Sequence, residues 1–265
     1  MTRKKISAFL PVLALLASGA TLAQEPSQQP SRPAQAAHLF GGVEPMANDQ
    51  LQVEDLLRAG KWKDAKILAQ RQFLVAAGYI DQYPGVVAVA LALDALADAG
   101  LGHEGPAICR WNLAQSLDPN LARADLSAFA AAGELLAKRS DKAPKTREPE
   151  PLKLPTPDPL KKPENAEVQR PELLSHSSPQ YTPAARRAKA EGKVVVEGII
   201  EKDGSLSRVR ALRKQPLGLD LSAMEAVCGW RFKPATLKGE PVKVYYVLTV
   251  NFSVQKGLPP PISEP

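Results

Sequence analysis

The residue types that usually carry out chemistry are few in this 265-residue chain and are not arranged for catalysis. The three histidines, His38, His103 and His176, fall in a tail, at the start of a predicted helix and in a linker. The sequence has no HExxH, GxSxG or glycine-rich phosphate loop, so it does not indicate a zinc hydrolase, a serine hydrolase or a nucleotide-binding enzyme. We therefore expect a protein that is not an enzyme and that needs no cofactor, metal or small-molecule substrate.

The two cysteines, Cys109 and Cys228, lack CxxC or CxxH spacing, so they do not indicate a zinc site. Two interpretations remain open. In an oxidising compartment the pair would bridge two modules of the chain, and otherwise each is a small buried apolar residue. We favour the second interpretation because each cysteine lies on the apolar face of a predicted helix.

Residues 1–23 have the three parts of a secretory signal. A basic start is followed by an apolar run from Ile6 to Leu16 and by small residues that favour cleavage after Ala23. The uncharged stretch has 18 residues, which is the lower limit for a membrane span, so a retained signal anchor is the alternative. We expect a protein exported to the periplasm, either cleaved or anchored in the inner membrane.

The next part of the chain is predicted to be a tail followed by an all-α domain. Residues 24–48 are rich in Pro, Gln, Ser and Ala and are expected to be disordered, whereas residues 49–139 have helical periodicity throughout. In the third predicted helix Asp94 and Asp98 are the only charges, so we expect that helix to be buried between its neighbours. The helices are predicted over 51–58, 62–76, 86–99, 106–117 and 121–138.

Residues 91–119 resemble a tetratricopeptide repeat, because small, aromatic and large residues fall where that family has them. The matching residues are Leu91, Ala95, Ala107, Trp111 and Ala114. The helix pair over 51–76 resembles a more diverged unit. The resemblance implies a concave protein-binding surface, and a helical spacer with an ordinary core is the equally open alternative.

Residues 140–178 are predicted to be a proline-rich linker. Nine prolines fall within residues 140–179, a composition that favours extended polyproline II and is expected to hold two domains apart. Residues 180–256 then contain 14 lysines and arginines against 7 acidic residues, a net charge of +7. That charge favours an acidic protein or an anionic lipid surface as a partner, and the export signal argues against nucleic acid.

Residues 179–256 show the clearest patterns, and residues 257–265 are expected to be a disordered tail. The last predicted strand alternates apolar and polar residues, which is typical of a strand with one face on a core. Together the patterns predict an α+β domain with a three-stranded antiparallel sheet and two helices. In chain order the elements are a basic helix, two strands joined at Asp203-Gly204, a second helix and the last strand: 183–190, 193–201, 205–213, 220–228 and 243–253.

These residues resemble the TonB C-terminal domain family in the order and spacing of several short pieces. The pieces are Pro179-Gln180-Tyr181, Glu191-Gly192, Asp203-Gly204, Leu219-Asp220, Trp230-x-Phe232-x-Pro234, Gly239-x-Pro241-Val242 and Asn251-Phe252. The resemblance implies a periplasmic domain that binds a short segment of an outer-membrane transporter. In that family the segment adds as a strand beside the last strand of the domain, through main-chain hydrogen bonds.

The resemblance also implies which residues bind the peptide. They are the backbone of the last strand and two residues upstream of the first helix: Lys243, Val244, Tyr245, Tyr246, Val247, Leu248, Thr249, Val250, Asn251, Gln180 and Tyr181. Arg208, Arg210 and Arg213 either favour an acidic partner or are solvated charges on a strand, and we favour the second. Trp230 and Phe232 are expected to close the core rather than to form an aromatic binding patch.

Two functions follow from the resemblance and the architecture. The first is a TonB-family energy transducer that serves outer-membrane TonB-dependent transporters, with ExbB and ExbD-type inner-membrane proteins as further partners if residues 1–23 are uncleaved. The second is a periplasmic adaptor whose helical repeats and TonB-like domain bind different proteins without transducing energy.

Overall fold

The computed structural model describes residues 44–140, 151–153 and 168–253. The predicted signal at 1–23 and the predicted tail at 257–265 lie outside these ranges and stay predictions. The described residues form a helical domain followed by an α+β domain.

Five α-helices make up the described part of the helical domain. They are α1 (Glu44–Arg58), α2 (Trp62–Ala77), α3 (Pro84–Gly100), α4 (Glu104–Leu117) and α5 (Ala130–Ser140). From α1 to α4 each helix packs on the next, and α5 packs on α3. Because α3 has neighbours on several sides, most of its residues are buried, including Asp94 and Asp98, and the predicted burial of this helix is confirmed.

The residues that resemble a tetratricopeptide unit all lie in the core of this domain. Leu91, Ala95, Ala107 and Ala114 have no exposed surface, and Trp111 is almost fully buried. Small residues at these positions let α3 and α4 approach closely. An ordinary helical core has the same property, so the tetratricopeptide assignment stays a prediction.

Both ends of the helical domain differ from the prediction. Helix α1 begins at Glu44, inside the stretch 24–48 that was expected to be disordered. A single helix over 121–138 is wrong, because two 3₁₀ turns precede α5 at Pro119–Arg123 and Ser127–Phe129.

Aspartate side chains explain why the helix does not start earlier. Asp118 Oδ1 accepts a hydrogen bond from Asn120 N at 3.0 Å, and Asp125 Oδ1 accepts one from Ser127 N at 3.0 Å. Such local bonds to the backbone compete with continuous helical pairing. Helical periodicity alone therefore does not show where this helix begins.

Among the described residues, the α+β domain and the segment before it contain nine strands and two helices. The strands are β1 (Leu152–Lys153), β2 (Val168–Gln169), β3 (Glu172–Ser175), β4 (Gly192–Ile200), β5 (Leu206–Arg213), β6 (Arg231–Lys233), β7 (Ala235–Leu237), β8 (Glu240–Val242) and β9 (Val244–Phe252). The helices are α6 (Pro183–Arg187) and α7 (Leu219–Cys228).

The main sheet has the strand order β1-β9-β4-β5. Strands β9, β4 and β5 are antiparallel, as predicted, and β4 lies at the centre with nine residue pairs to β9, from Gly192↔Phe252 to Ile200↔Val244. The turn between β4 and β5 contains Gly204 at φ +80°, a conformation that favours glycine. Strand β1 is an addition to the predicted sheet and runs parallel to β9.

Part of the predicted linker is built into the α+β domain. Strand β2 pairs with β7, which also pairs with β8, and β3 pairs with β6 so that Leu173 lies opposite Phe232. Residues 168–175 are therefore not a free tether. Because these strands have only two to four residues each, period-two alternation gives almost no signal for them.

The two domains are joined by a disulfide between Cys109 of α4 and Cys228 of α7, whose Cα atoms are 5.5 Å apart. The interpretation that we favoured, two unbridged buried thiols, is therefore wrong. Each cysteine does lie on a buried helix face, and the two faces meet at the boundary between the domains. Local apolar patterns identified the faces but carry no information on whether they meet.

Two glycines lie where the two domains approach each other closely. A Cβ on Gly105 would lie 2.5 Å from Ser205 Cβ, and a Cβ on Gly218 would lie 2.2 Å from Ala77 O. The apolar cores of the two domains form one continuous cluster. The expectation that the linker holds the domains apart is therefore wrong for the arrangement in this structure.

Candidate functional site

Strand β9 presents one face to the core of the α+β domain. Val244, Leu248, Val250 and Phe252 are buried, and the ring of Tyr246 packs against Phe232 with centroids 5.8 Å apart. The alternation that predicted this face is confirmed. The burial fixes the register of β9 against β4, because a slip by one residue would turn the apolar side chains to solvent.

The opposite face of β9 is accessible. Thr249 and Asn251 are exposed, Tyr245 is half-buried, and Val247 has 54% of its surface exposed. At the start of the strand Lys243 Nζ lies 3.1 Å from Glu201 Oε2. The accessible face from Tyr245 to Asn251 is therefore mostly uncharged, with the apolar side chain of Val247 beside polar ones.

The outer edge of β9 is paired over only a small part of its length. On the inner side all nine residues pair with β4, whereas on the outer side β1 pairs at Val244 and Tyr245. Among the residues that the structure describes, no strand pairs with the outer edge from Tyr246 to Phe252. Alternate N–H and C=O groups of a strand point to each side, so this edge presents main-chain donors and acceptors.

Sequence-based reasoning missed the part that Leu152 and Lys153 play at this edge. They lie in the predicted linker, between Pro151 and Pro155, where the composition favours polyproline II. The only signal is a short alternation of apolar and basic residues between those prolines. Two residues are too few for a strand prediction.

The other two predicted binding residues lie at the far end of β9. The ring of Tyr181 stands edge-on against Phe252 with centroids 5.3 Å apart. The carbonyl oxygen of Gln180 accepts a hydrogen bond from Ser222 Oγ of α7, while the Gln180 side chain is exposed. The structure therefore brings Tyr181 to the C-terminal end of β9 and ties the backbone of Gln180 to the second helix.

The Tyr181 hydroxyl is buried, and no hydrogen-bond partner for it lies within the described part of the chain. Burial, together with the nearby Glu191 carboxylate, raises the pKa of Tyr181 above its ordinary value of 10.0. The next residue, Thr182, directly precedes α6: its Oγ1 accepts a hydrogen bond from Ala185 N at 3.1 Å and donates one to Leu217 O at 2.6 Å. Thr182 is thus an N-cap that fixes the entry of the chain into the domain.

The three arginines of β5 do not converge on β9. Arg208, Arg210 and Arg213 are exposed, and Arg210 Nε donates a hydrogen bond to Glu197 Oε2 on the neighbouring strand at 2.7 Å. This placement fits solvated strand charges.

The tryptophan and phenylalanine that follow α7 are core residues. Trp230 and Phe232 are both buried, and Trp230 Nε1 donates a hydrogen bond to Ser177 O at 3.0 Å. The prediction that they close the core is confirmed.

A buried ionic cluster lies beside the inter-domain disulfide. Arg110 of α4 reaches Asp98 Oδ2 at 2.6 Å and Glu225 Oε1 of α7 at 2.7 Å. Its Nε lies 2.9 Å from Asp94 Oδ2, although that contact lacks the alignment of a hydrogen bond. Lys66 Nζ lies 2.9 Å from a carboxylate oxygen of Asp94 and of Asp98. Arg110 thus joins two carboxylates of the helical domain to one of the α+β domain.

Burial and charge act in opposite directions on the groups of this cluster. Burial raises the pKa of Asp94 above its ordinary value, and Arg110 and Lys66 offset only part of that rise. Burial alone would lower the pKa of Arg110, but the carboxylates of Asp94, Glu225 and Asp98 together raise it. The guanidinium therefore stays charged, and its positive charge offsets the repulsion among the three neighbouring carboxylates.

The described residues contain neither a membrane-spanning helix nor a cluster of metal-binding side chains. Within residues 44–140, 151–153 and 168–253, every helix falls short of the length and apolar character that a span requires. In the same ranges no three His, Cys, Asp or Glu side chains are grouped to hold a metal ion.

The fold and the position of β9 define a small α+β domain whose last strand lies near the margin of an antiparallel sheet. Its sequence matches the family described as Gram-negative bacterial TonB protein C-terminal over residues 177–254. Proteins named Protein TonB from two strains of Xanthomonas campestris pv. campestris are 30% identical over 77 residues, which cover 29% of this chain and 34% of each relative. The chain therefore spans about a third of the length of these relatives.

A solution NMR structure of the Pseudomonas aeruginosa TonB C-terminal domain is also similar. It shares 22% identity with this chain, covers 36% of this chain and 94% of its own, and has a TM-score of 0.27. On the family match and the two relatives, the segment 177–254 belongs to the TonB C-terminal domain family.

Proposed function

We propose that the α+β domain binds a short extended segment of outer-membrane TonB-dependent transporters by strand addition at the outer edge of β9, and so supports energy-dependent transport across the outer membrane. The observation that carries the proposal is the edge itself. All nine residues of β9 are held by β4 on one side, and within the described ranges Tyr246 to Phe252 have no strand on the other. A rigid strand with an unpaired edge is the template that strand addition requires.

Membership of residues 177–254 in the TonB C-terminal family supports this choice of partner. The disulfide supports the compartment, because disulfides persist in the periplasm and are rare in the cytosol. The predicted export signal at residues 1–23 agrees with that location. ExbB and ExbD-type proteins become partners only if that segment is retained as an anchor.

The proposal is tested with the full chain and a fluorescently labelled peptide from the N-terminal segment of an outer-membrane transporter. Two matched control peptides have the same sequence, and each is N-methylated at one of the two alternating sets of residues, so that the side chains are kept and the main-chain donors on one side are lost. Strand addition predicts that methylation on one of the two alternating sets of residues abolishes binding and methylation on the other is tolerated. Equal binding of the three peptides contradicts the proposal.

The packing of the two domains favours a second candidate, a periplasmic adaptor. Helix α4 is held against the α+β domain by the Cys109–Cys228 disulfide and by Arg110. Such a fixed attachment presents the surface of the helical domain in a constant orientation to β9, as a scaffold between two partners requires. In this candidate the TonB-like domain binds its peptide but transmits no force.

The intact mass of the protein in cell fractions separates the two candidates. Retention of residues 1–23 in the inner-membrane fraction supports a force-transmitting transducer. A mature chain that begins near Gln24 in the periplasmic fraction contradicts direct energy coupling and supports the adaptor.

A further inference from the structure

Strand β1 lies on the edge that the proposed function assigns to the transporter. Leu152 pairs with Val244 and Lys153 pairs with Tyr245, in parallel, on the side of β9 opposite β4. These two pairs cover the first two of the nine residues of β9. The chain thus places a piece of itself where an incoming strand would begin to pair.

Proline limits how far this self-pairing extends. Pro151 precedes Leu152 directly, and Pro155 follows Lys153 by two residues. Proline has no N–H to donate to a strand ladder, so each of these positions weakens further pairing with β9. A peptide without prolines at these positions can pair along the whole edge, and the longer ladder displaces the shorter one.

The position of β1 in the chain keeps it near the edge after it dissociates. Helix α5 ends at Ser140, and β2, which is paired to β7, begins at Val168. Strand β1 is therefore tethered on both sides to parts of the same structure. Tethers of this length give effective concentrations of order millimolar, enough for a two-residue ladder to compete with a dilute partner.

We propose that β1 is an intramolecular strand that occupies the N-terminal end of the β9 edge and competes with strands added there. The inference rests on the proposed function only for the identity of the competing strand. Displacement of β1 reduces the net binding free energy of the transporter segment, so only a partner that pairs beyond Tyr245 binds well. A short or weakly pairing peptide is excluded by the same contact.

The test compares the full chain with two double variants. In Leu152→Pro/Lys153→Pro both main-chain donors of β1 are removed, whereas in Leu152→Ala/Lys153→Ala both are kept and only the side chains are lost. Amide hydrogen exchange by NMR reports whether β1 covers the edge. We expect at least one of the amides of Val244, Tyr245 and Tyr246 to exchange faster in the proline variant alone.

Binding of the transporter peptide then reports competition. We expect the proline variant to bind about tenfold more tightly than the wild type, since the competing ladder is small, and the alanine variant to match the wild type. Unchanged exchange in the proline variant overturns the inference. Faster exchange with unchanged peptide affinity overturns it too, because the peptide then docks elsewhere. Faster exchange with no peptide binding to any variant supports self-pairing and contradicts the proposed function.

Discussion

Substitution of Arg110 by methionine tests how the two domains are held together. The guanidinium is 5% exposed and contacts Asp94, Asp98 and Glu225, whose side chains are 0%, 2% and 15% exposed. Methionine has a similar length but no charge, so the substitution leaves buried carboxylates with Lys66 as their main remaining cation. Breaking a buried pair by removing one partner costs about 3–5 kcal/mol, and we expect a loss of about 4 kcal/mol in the free energy of unfolding at pH 7.

The loss depends on pH in a direction that the structure fixes. Asp94 already has a pKa above its ordinary value of 3.8 in the folded protein, and removal of Arg110 raises that pKa further. A carboxyl group with a raised pKa in the folded state binds its proton more tightly there than in the unfolded state. Such a group lowers the free energy of unfolding as pH rises above 3.8, and this loss of stability becomes smaller as pH falls. We expect the deficit of the variant to be smaller at pH 4.5 than at pH 7.

The assay is urea-induced unfolding of the full chain, followed by tryptophan fluorescence with the disulfide intact. Lys138→Met is the matched control, because Lys138 pairs with Glu134 on the surface, where both side chains are over two-thirds exposed, and should change stability by less than about 0.5 kcal/mol. A loss of stability in Arg110→Met that equals the loss in the control, or one that is the same at pH 7 and pH 4.5, would show that Arg110 does not neutralise buried carboxylates.

Three further predictions concern the inter-domain boundary and the end of β9. Substitution of both Cys109 and Cys228 by serine removes the crosslink that closes a loop of 119 residues, and should lower the free energy of unfolding by up to about 5 kcal/mol because the unfolded chain gains freedom. A loss under about 1 kcal/mol in urea unfolding would contradict stabilisation by this crosslink. Gly218→Ala should cost about 3 kcal/mol, because φ is +75° and a Cβ there would lie 2.2 Å from a main-chain oxygen of α2. The control is Gly85→Ala, where the added Cβ meets open space, and the free energy of unfolding should rise by about 0.5 kcal/mol. Equal melting temperatures for the two variants would contradict close packing of the domains. Tyr181→Phe removes a buried hydroxyl without a partner, so it should change stability by less than about 0.5 kcal/mol, and a loss above about 1.5 kcal/mol by thermal unfolding shows that the hydroxyl is bonded.

The sequence predicts the long elements of the fold because their signals are local. The apolar alternation from Val244 to Phe252 and the β-branched run of β4 identify two paired strands, and the Asp203-Gly204 turn identifies a hairpin. In each case the pattern and the fold have the same cause, burial of one face.

The contacts that join the domains could not be predicted, because their partners are far apart in sequence. Arg110 and Glu225 are separated by 115 residues, and Cys109 and Cys228 by 119. Burial of an arginine on an apolar helix face does hint at a distant carboxylate, but it does not say which one. Strand β1 escapes prediction for a different reason, since two residues are shorter than any repeat of the strand pattern.

The proline-rich composition of the linker misled the interpretation in one respect. It indicates an extended chain, and extended residues equally suit polyproline II and an edge strand. Val168 and Leu173 pair with strands of the α+β domain although they lie in that segment. Composition alone does not separate a spacer from a segment that packs alongside its own domain.

Isotope-edited NMR of the full chain with an unlabelled transporter peptide shows where the peptide binds. Strand addition at this edge predicts amide shift changes concentrated on the residues of β9, from Val244 to Phe252, and nuclear Overhauser contacts between the peptide backbone and this strand. Shift changes confined to the helices α1 to α5, or contacts to β5 in place of β9, would contradict strand addition at this edge.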